Sequence, residues 1–456
     1  MMKRTLSMIL ATLMVVAILC AMPAALAEED VITLRLWGGV QPEYGYATLV
    51  ENFNEEFKDQ GIQLEYVRYV NDEDGNLQLD TYLMAGGEID IFMGYGGTGR
   101  LFPRIESGVV LDMTPYLEAA GFDPIQELGE AAVAQYIYDD KYYALPTKYE
   151  NSCYWFANVE MFEAAGIELP YDGWTYAEFL DAVEKMTYGE GLDKVFGMYW
   201  SFNNNWDMTT GFITSMSTPY GVYTDETCEA TAFDNEVIIG ALDLIKTTTD
   251  AGYAPSLADE KADNLSIPTV YLEGKAAIST SISQIRIIKD IETYPHDFTT
   301  ALIPAPVPDE SYLEEYGRHD YFNGAGDLIS VSASTQYPQE CMDFVLWYIE
   351  GGMAPLANGG RIPLWKGFDA DAVAEALTEG AEGTLEVDSI VNYMGIEKTS
   401  ARTVLNMPLY AQSEINTAFT EAIESVLYGQ QDAATAMAEL KERADGLIAD
   451  AIAAEG

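Results

Sequence analysis

Histidine is nearly absent from this chain, with His296 and His319 the only two among 456 residues. Both lie in polar, charged stretches with no motif around them. A histidine-based metal site and a Ser–His or Cys–His nucleophilic site therefore lack their central part. Cysteine is scarce as well, at four. Cys20 belongs to an apolar N-terminal run, and Cys153, Cys228 and Cys341 form an odd set whose spacings match no zinc pattern. Buried free thiols are expected. Positive charge is the third shortage: 23 Lys and Arg stand against 74 Asp and Glu, a formal net charge of −51. Such a surface repels phosphate backbones and anionic lipid, so nucleic acid and unassisted membrane binding are excluded. Neutral or cationic substrates are expected, and the acidic coat keeps an exported protein in solution. Beyond the N-terminus no stretch is apolar and long enough to span a bilayer.

What is present begins with a targeting segment. Lys3 and Arg4 precede an apolar run from Met8 to Leu19, and Ala25-Leu26-Ala27 is a small-x-small cleavage site. Residues 1–27 thus read as a signal peptide, and the mature chain is expected to begin at Glu28. Cys20 raises lipid attachment, but Leu19 stands where a lipoprotein signal takes Gly, Ala or Ser, which disfavours an anchor. The protein is expected outside the cytoplasm: extracellular, cell-surface or periplasmic. The remaining length suits two or three domains. Hydrophobic residues make up 48% and aromatics 12%, including 30 Tyr, as in a packed globular protein with many half-exposed rings.

The first unit reads β-α-β-α-β. Ile32, Leu34 and Leu36 alternate with polar residues, Leu49, Val50, Phe53 and Phe57 recur at helical spacing, and Ile62, Leu64 and Tyr66 alternate again. Leu77 to Met84 predicts a helix and Ile89 to Met93 a strand. This order implies an α/β fold with a mainly parallel sheet covered on both faces, whose ligands sit beyond the carboxyl ends of strands. Further on, Ser152 to Phe156 predicts a strand, and Asn158 to Ala165 a helix stopped by Gly166. Thr175-Tyr176-Ala177-Glu178 is a capping box, with Trp174 and Phe179 placed as a hydrophobic staple. Asp234 is expected to cap a helix carrying Ile238, Leu242 and Ile245. Phe298 to Ile303 predicts a strand returning to the first unit, Leu328 to Val331 another strand, and Pro338 to Ile349 and Asp432 to Ile448 two helices.

The most informative run is Met84-Ala85-Gly86-Gly87-Glu88-Ile89-Asp90-Ile91-Phe92, continued by Leu111-Asp112-Met113-Thr114-Pro115-Tyr116-Leu117. With Tyr142-Tyr143-Ala144-Leu145-Pro146, Phe156-Ala157-Asn158 and Tyr271-Leu272-Glu273-Gly274-Lys275-Ala276-Ala277-Ile278, it resembles the extracellular solute-binding proteins (family 1) of ABC sugar importers, the maltose-binding-protein-like group. Each motif alone is common; their order and spacing carry the likeness over nearly the whole chain. The resemblance implies a periplasmic-binding-protein-like fold: two α/β lobes joined by three crossings, with a ligand cleft between them. It places crossings near Thr147–Glu150, His296–Phe298 and Ser334–Gln339. The lobes are then 28–148 plus 298–336, and 149–297 plus 337–456.

Several patterns point elsewhere and fall short. Gly94-x-Gly96-x-x-Gly99 follows a strand like a dinucleotide fingerprint, but Pro103 is expected to interrupt the next helix and no acid follows about 20 residues on. Asp72, Asp74 and Asn76 space like the start of a calcium loop, without its Gly or its final Glu. No cofactor and no metal is expected. The positive signal is aromatic residues and amides at strand ends, since sugars offer apolar C–H faces and polar rims. Trp37 and Tyr44 flank the first strand's exit and Tyr95 follows the third strand. Tyr199-Trp200-Ser201-Phe202-Asn203-Asn204-Asn205-Trp206 packs four rings and three amides into eight residues, against which stands ordinary core packing. The resemblance adds Glu150 and Asn151 at the first crossing. Ser283 and Gln284 stand in place of a Trp-bearing segment, and the segment Asn323-Gly324-Ala325-Gly326, with Arg361 and Trp365, completes the candidates.

The function so implied is capture of a carbohydrate, an oligosaccharide in particular, and delivery to the membrane subunits of an ABC permease. The protein would act as a monomer and without catalysis. A secreted glycoside hydrolase and a binder of another solute, such as a polyamine or peptide, are the competing readings.

Overall fold

The computed structural model describes residues 31–150, 154–202, 206–215, 220–280, 285–316, 324–381, 383–386, 388–389 and 410–455. Two sheets organise them. The first begins with β1 (Ile32–Gly38), α1 (Ala47–Glu56), β2 (Ile62–Arg68), α2 (Glu73–Ala85), β3 (Ile91–Gly94) and α3 (Gly97–Glu106). β4 (Leu145–Glu150) ends this run, and the chain leaves for β5 (Tyr154–Asn158) in the second sheet.

That second sheet gathers α4 (Val159–Ala165), α5 (Tyr176–Lys185), β6 (Phe196–Tyr199), α6 (Glu236–Asp250), β7 (Ala276–Ser279), α7 (Ile285–Lys289) and β8 (Thr300–Pro304). The chain returns with β9 (Gly324–Val331) and α8 (Pro338–Trp347), then passes to α9 (Ala370–Thr378), α10 (Gln412–Leu427) and α11 (Ala433–Glu455).

The first sheet has the order β2-β1-β3-β9-β4, and the second β8-β5-β7-β6. In the first, β1 pairs parallel with β2 and β3, while β9 runs antiparallel between β3 and β4. Alternation sorts the strands' side chains onto two faces: Leu36 and Met93 enter one apolar cluster with Phe53 and Phe344, and Trp37 and Phe92 enter another with Leu79 and Leu101. The second sheet is likewise covered twice, by a large cluster around Trp155, Phe179 and Phe212 and a smaller one around Phe156, Tyr271 and Leu302.

Local signals translate into geometry at several points. Thr175 and Glu178 form the reciprocal capping box, and the Trp174 and Phe179 rings meet edge to face at 5.3 Å. Asn158 caps α4 and Gly166 ends it in the left-handed region. Four expectations need correction. The cap of α6 is Asn235, whose side chain accepts from the Val237 amide, rather than Asp234. Pro103 does not break α3, which continues to Glu106.

The strand at Thr300–Pro304 does not return to the first sheet. It pairs with β5, with Leu302 and Ile303 entering the clusters on opposite faces of the second sheet. Finally, the helix from Pro338 belongs to the first body: Cys341, Phe344 and Val345 enter its core, and Phe344 meets Phe53 at 5.1 Å. Runs apolar on both faces carry no record of which sheet they join.

Between α8 and α9 the chain touches both bodies. Leu356 sits in the first core and Ala357 in the core of the second sheet's smaller cluster. Just beyond, the Tyr149 amide donates to the Ile362 carbonyl at 3.1 Å and the Leu364 amide to the Thr147 carbonyl at 2.9 Å. β4 is thereby flanked by β9 on one side and by residues 362–364 on the other.

Candidate functional site

The carboxyl ends of β1, β3 and β4 and the start of β9 lie at one end of the first sheet. A cavity of about 460 Å³ opens there, a volume in the range of small-ligand sites. Its walls are Gly39 and Val40 after β1, Asn71, Gly94 to Gly97 after β3, Ala325 to Leu328 of β9, Tyr136 and Arg361.

Three tyrosines fix these walls. The Tyr66 hydroxyl donates to the Val40 carbonyl at 2.6 Å and accepts from the Val40 amide at 3.2 Å. The Tyr95 hydroxyl accepts from the Gly39 amide at 3.0 Å, and the Tyr69 hydroxyl donates to the Met93 carbonyl at 2.9 Å. Burial raises the proton affinity of all three phenols, so they stay neutral and usable in both directions. The glycine pair makes this approach feasible. A Cβ on Gly38 would stand 2.8 Å from the Tyr66 hydroxyl, and one on Gly39 would stand 2.8 Å from the Tyr95 ring.

Beneath the wall lies an ion cluster. Arg361 Nε donates to Asp327 Oδ2 at 2.7 Å, and Lys148 Nζ stands 3.9 Å from Asp327 Oδ1. Asp327 is 7% exposed and holds a φ of 49°, an unusual conformation inside a strand. Its carbonyl accepts from the Thr147 hydroxyl at 2.7 Å, which ties the residue to β4. Asp327 raises the proton affinity of Arg361 against the opposing effect of burial, the largest single influence, so the guanidinium stays charged. The arrangement offers a carboxylate, a guanidinium, the Asn71 amide and the uncapped start of α3 within one cavity. These are groups for gripping a polar ligand.

A second, larger groove of about 860 Å³ runs between α1, residues 347–358 and α9. It is lined by five acids, Glu43, Glu56, Glu350, Glu375 and Glu379, and by no basic residue. Its contacts are structural, as where Trp347 Nε1 donates to Glu56 at 2.7 Å. The smaller cavity is the better candidate because groups of both signs converge on it at strand ends.

The sequence-derived candidates divide sharply. Tyr95 and Arg361 line the cavity. Trp37 turns to the opposite face of β1, buried in the core against Tyr82 at 5.0 Å. Trp200 is fully buried; its indole donates to the Thr248 hydroxyl at 2.8 Å and its ring contacts Trp155, Phe179 and Phe212. Phe202 lies in the same core. Trp200 and Phe202 are therefore packing, since a ring with no exposed face offers no platform for a ligand.

Tyr44 is half-buried, with the Arg286 guanidinium 5.7 Å from its ring centre. Trp365 packs beside the first core and donates to Glu127 at 2.9 Å. Glu150 pairs by its backbone with Gly324, and its side chain lies outside the described set, as does that of Trp206. Asn151, Asn203, Ser283, Gln284 and Asn323 lie outside the described residues. Asp72, read as the start of an incomplete calcium loop, caps α2 by accepting from the Gly75 amide.

Sequence reasoning missed Asp327, Tyr66, Tyr69 and Lys148. A signal was present in Gly324-Ala325-Gly326-Asp327, where an acid follows two glycines at the head of an apolar strand.

The family of bacterial extracellular solute-binding proteins matches residues 48–381. No curated protein matches the chain. Solved structures do. A sugar transporter of Rhizobium etli in an open conformation is 18% identical with a TM-score of 0.67, over 90% of this chain and 99% of the other. An ABC substrate-binding protein of Listeria monocytogenes in complex with cycloalternan is 17% identical with a TM-score of 0.67, over 92% and 100%. UgpB from Mycobacterium tuberculosis in complex with glycerophosphocholine is 15% identical with a TM-score of 0.63, over 92% and 99%. At these identities the likeness is one of fold, the periplasmic-binding-protein-like α/β architecture.

Proposed function

The chain belongs to the bacterial extracellular solute-binding proteins, and on that premise we propose that it captures a carbohydrate outside the cytoplasmic membrane for an ABC importer. The observation that carries this reading is the cavity at the strand ends, bordered by Arg361 from the segment that packs on both bodies. A ligand held there sits beside the connections between the two sheets. The two bodies act as lobes, one built on the first sheet with α8, the other on the second sheet with α9 to α11.

Three stretches of chain join them: those from β4 to β5, from β8 to β9 and from α8 to α9. Rotation about these stretches closes the second lobe over the cavity. The ligand drives closure by binding the closed form more tightly, and the permease recognises the closed shape.

The protein binds and does not catalyse. Hydrolysis of a glycosidic bond needs two carboxyl groups, one of them holding its proton. Asp327 is the one carboxylate lining the cavity among the described residues, and it is tied to two cations. Residues 1–27 serve export and are removed, and the mature protein works as a monomer.

Titration calorimetry against a panel of oligosaccharides, paired with small-angle scattering, tests the reading. The expected result is binding of at least one glycan with a measurable fall in the radius of gyration. Binding without compaction, or no binding to any glycan, overturns it.

A further inference from the structure

We infer, on the premise that the strand-end cavity is the ligand site, that Thr147 is its positioning residue: it holds Asp327 and Arg361 in register at the joint between the lobes. These two side chains face the cavity from stretches of chain 34 positions apart, and their ion pair alone does not fix where either backbone lies. Thr147 ties down both stretches. Its hydroxyl donates to the Asp327 carbonyl at 2.7 Å, and its own carbonyl accepts from the Leu364 amide at 2.9 Å. The residues after it continue the second contact. Lys148 bridges Pro363, and the Tyr149 amide donates to the Ile362 carbonyl at 3.1 Å. Arg361 directly precedes Ile362, so β4 sets the height of the guanidinium as well as that of the carboxylate.

The strand register explains why a side chain is needed here. β9 and β4 pair Gly326 with Lys148 and Leu328 with Pro146, and the pairing lapses between them, where Asp327 lies opposite Thr147. Asp327 holds its left-handed φ of 49° at that point, a conformation that costs energy and persists only where neighbours enforce it. The Thr147 hydroxyl supplies the bond that the ladder omits. Thr147 is 2% exposed, so solvent does not replace a bond lost there. Its β-branched side chain also has few rotamers in which to aim the hydroxyl elsewhere.

The location gives this bond a use beyond packing. Ile362 enters the smaller core of the second lobe and Leu364 the core of the first. β4 is where the chain leaves the first sheet. A change of angle between the lobes that moves residues 362–364 moves Thr147 with them, and moves Asp327 through the hydroxyl. The pair that meets the ligand is thereby geared to the joint.

The test uses the intact protein carrying isotope-labelled arginine. The Arg361 Nε–H resonance, identified by its absence in Arg361→Lys, reports the bond to Asp327 directly. Thr147→Val keeps the shape and removes the hydroxyl, and is expected to speed hydrogen exchange at this Nε–H by about tenfold. Thr147→Ser restores the hydroxyl and should keep most of the parent's protection. Thr209→Val removes another buried hydroxyl, one that donates to the Trp200 carbonyl at 3.3 Å, and should leave the resonance unmoved. Should Thr147→Val fail to fold, Thr147→Ala takes its place. Unchanged exchange in the folded variant, a serine variant that behaves like valine, or an equal change in Thr209→Val overturns the inference. Calorimetry with maltotriose, cellotriose and xylotriose separates it from the sugar reading. A glycan that binds the parent should bind Thr147→Val about tenfold more weakly and Thr147→Ser nearly as well as the parent. Equal affinity for parent and Thr147→Val sinks the positioning role and leaves the sugar reading intact. A loosened Arg361 resonance, with every glycan refused by the parent, does the reverse.

Discussion

The turn after β3 and the run after β6 look alike in sequence, each placing aromatic side chains just past a strand. Their structural fates are opposite. After β3, glycines flank Tyr95 and keep the backbone thin, so that space opens beside the ring. After β6, Trp200 and Phe202 have no such neighbours and fold back into the core with Trp155 and Phe212. An aromatic residue past a strand becomes available to a ligand only where small residues leave room and polar groups need satisfying. Aromatic density alone marks a core at least as well as a site.

The sharpest way to break this contrast is Trp200→Ala. If Trp200 is packing, truncation should cost about 3–5 kcal/mol of stability. Urea denaturation would show it as a large fall in midpoint with little change in slope. A loss of ligand affinity with unchanged stability would instead restore the run after β6 as a binding platform. The counterpart on the other side is Arg361→Gln. Breaking a buried pair strands its partner, and about 3 kcal/mol is expected here, with Lys148 offsetting a little. Unlike Trp200→Ala, this change should also cut affinity in calorimetry under conditions where the protein remains folded.

Gly39→Ala sharpens the contrast from the side of space. Its Cβ would stand 2.8 Å from the Tyr95 ring and 2.9 Å from Asn71 Cβ. Overpacking of this kind costs about 1–3 kcal/mol, and the displaced ring narrows the cavity. Loss of affinity larger than the loss of stability is the expected signature. A substitution that leaves both unchanged would mean the wall is softer than its hydrogen bonds imply.

How much of this was legible beforehand follows from the range of each interaction. Caps and staples are local, so Thr175, Glu178 and Trp174 announced themselves within five residues. The parallel order of the first sheet followed from strand–helix alternation. Sheet membership of Thr300–Pro304 and the docking of α8 depend on partners more than 100 residues away, and neither run carries a mark of its destination. The site shows the same divide. Tyr95 was visible because glycines surround it. Asp327 was not, because its meaning lies in Arg361, 34 positions on, and in Lys148, 179 positions back. The side chains that line the cavity were thus harder to read than the scaffold that holds them.

The smallest effect concerns the link between the two bodies. Lys289 Nζ donates to the Leu377 carbonyl at 2.8 Å and to Asn358 Oδ1 at 3.2 Å, joining the end of α7 to residues 354–359 and to α9. Burial lowers its pKa from the usual 10.5 to about 8, and the attraction of Glu379 only partly offsets this. The sign follows from proton counting. Between about pH 8 and 10.5 the unfolded chain holds a proton that the folded chain has released. The contribution of Lys289 to stability therefore rises with pH through that window, and below pH 8 its charge is carried at a cost. Lys289→Met removes this term. Denaturation midpoints of the two proteins, taken as a difference so that the tyrosines cancel, should move in favour of the parent as pH rises from 8 to 10. A difference flat with pH would mean the amine is as well solvated as a surface lysine. The polar clip at the junction would then differ in nothing from the protein's exterior.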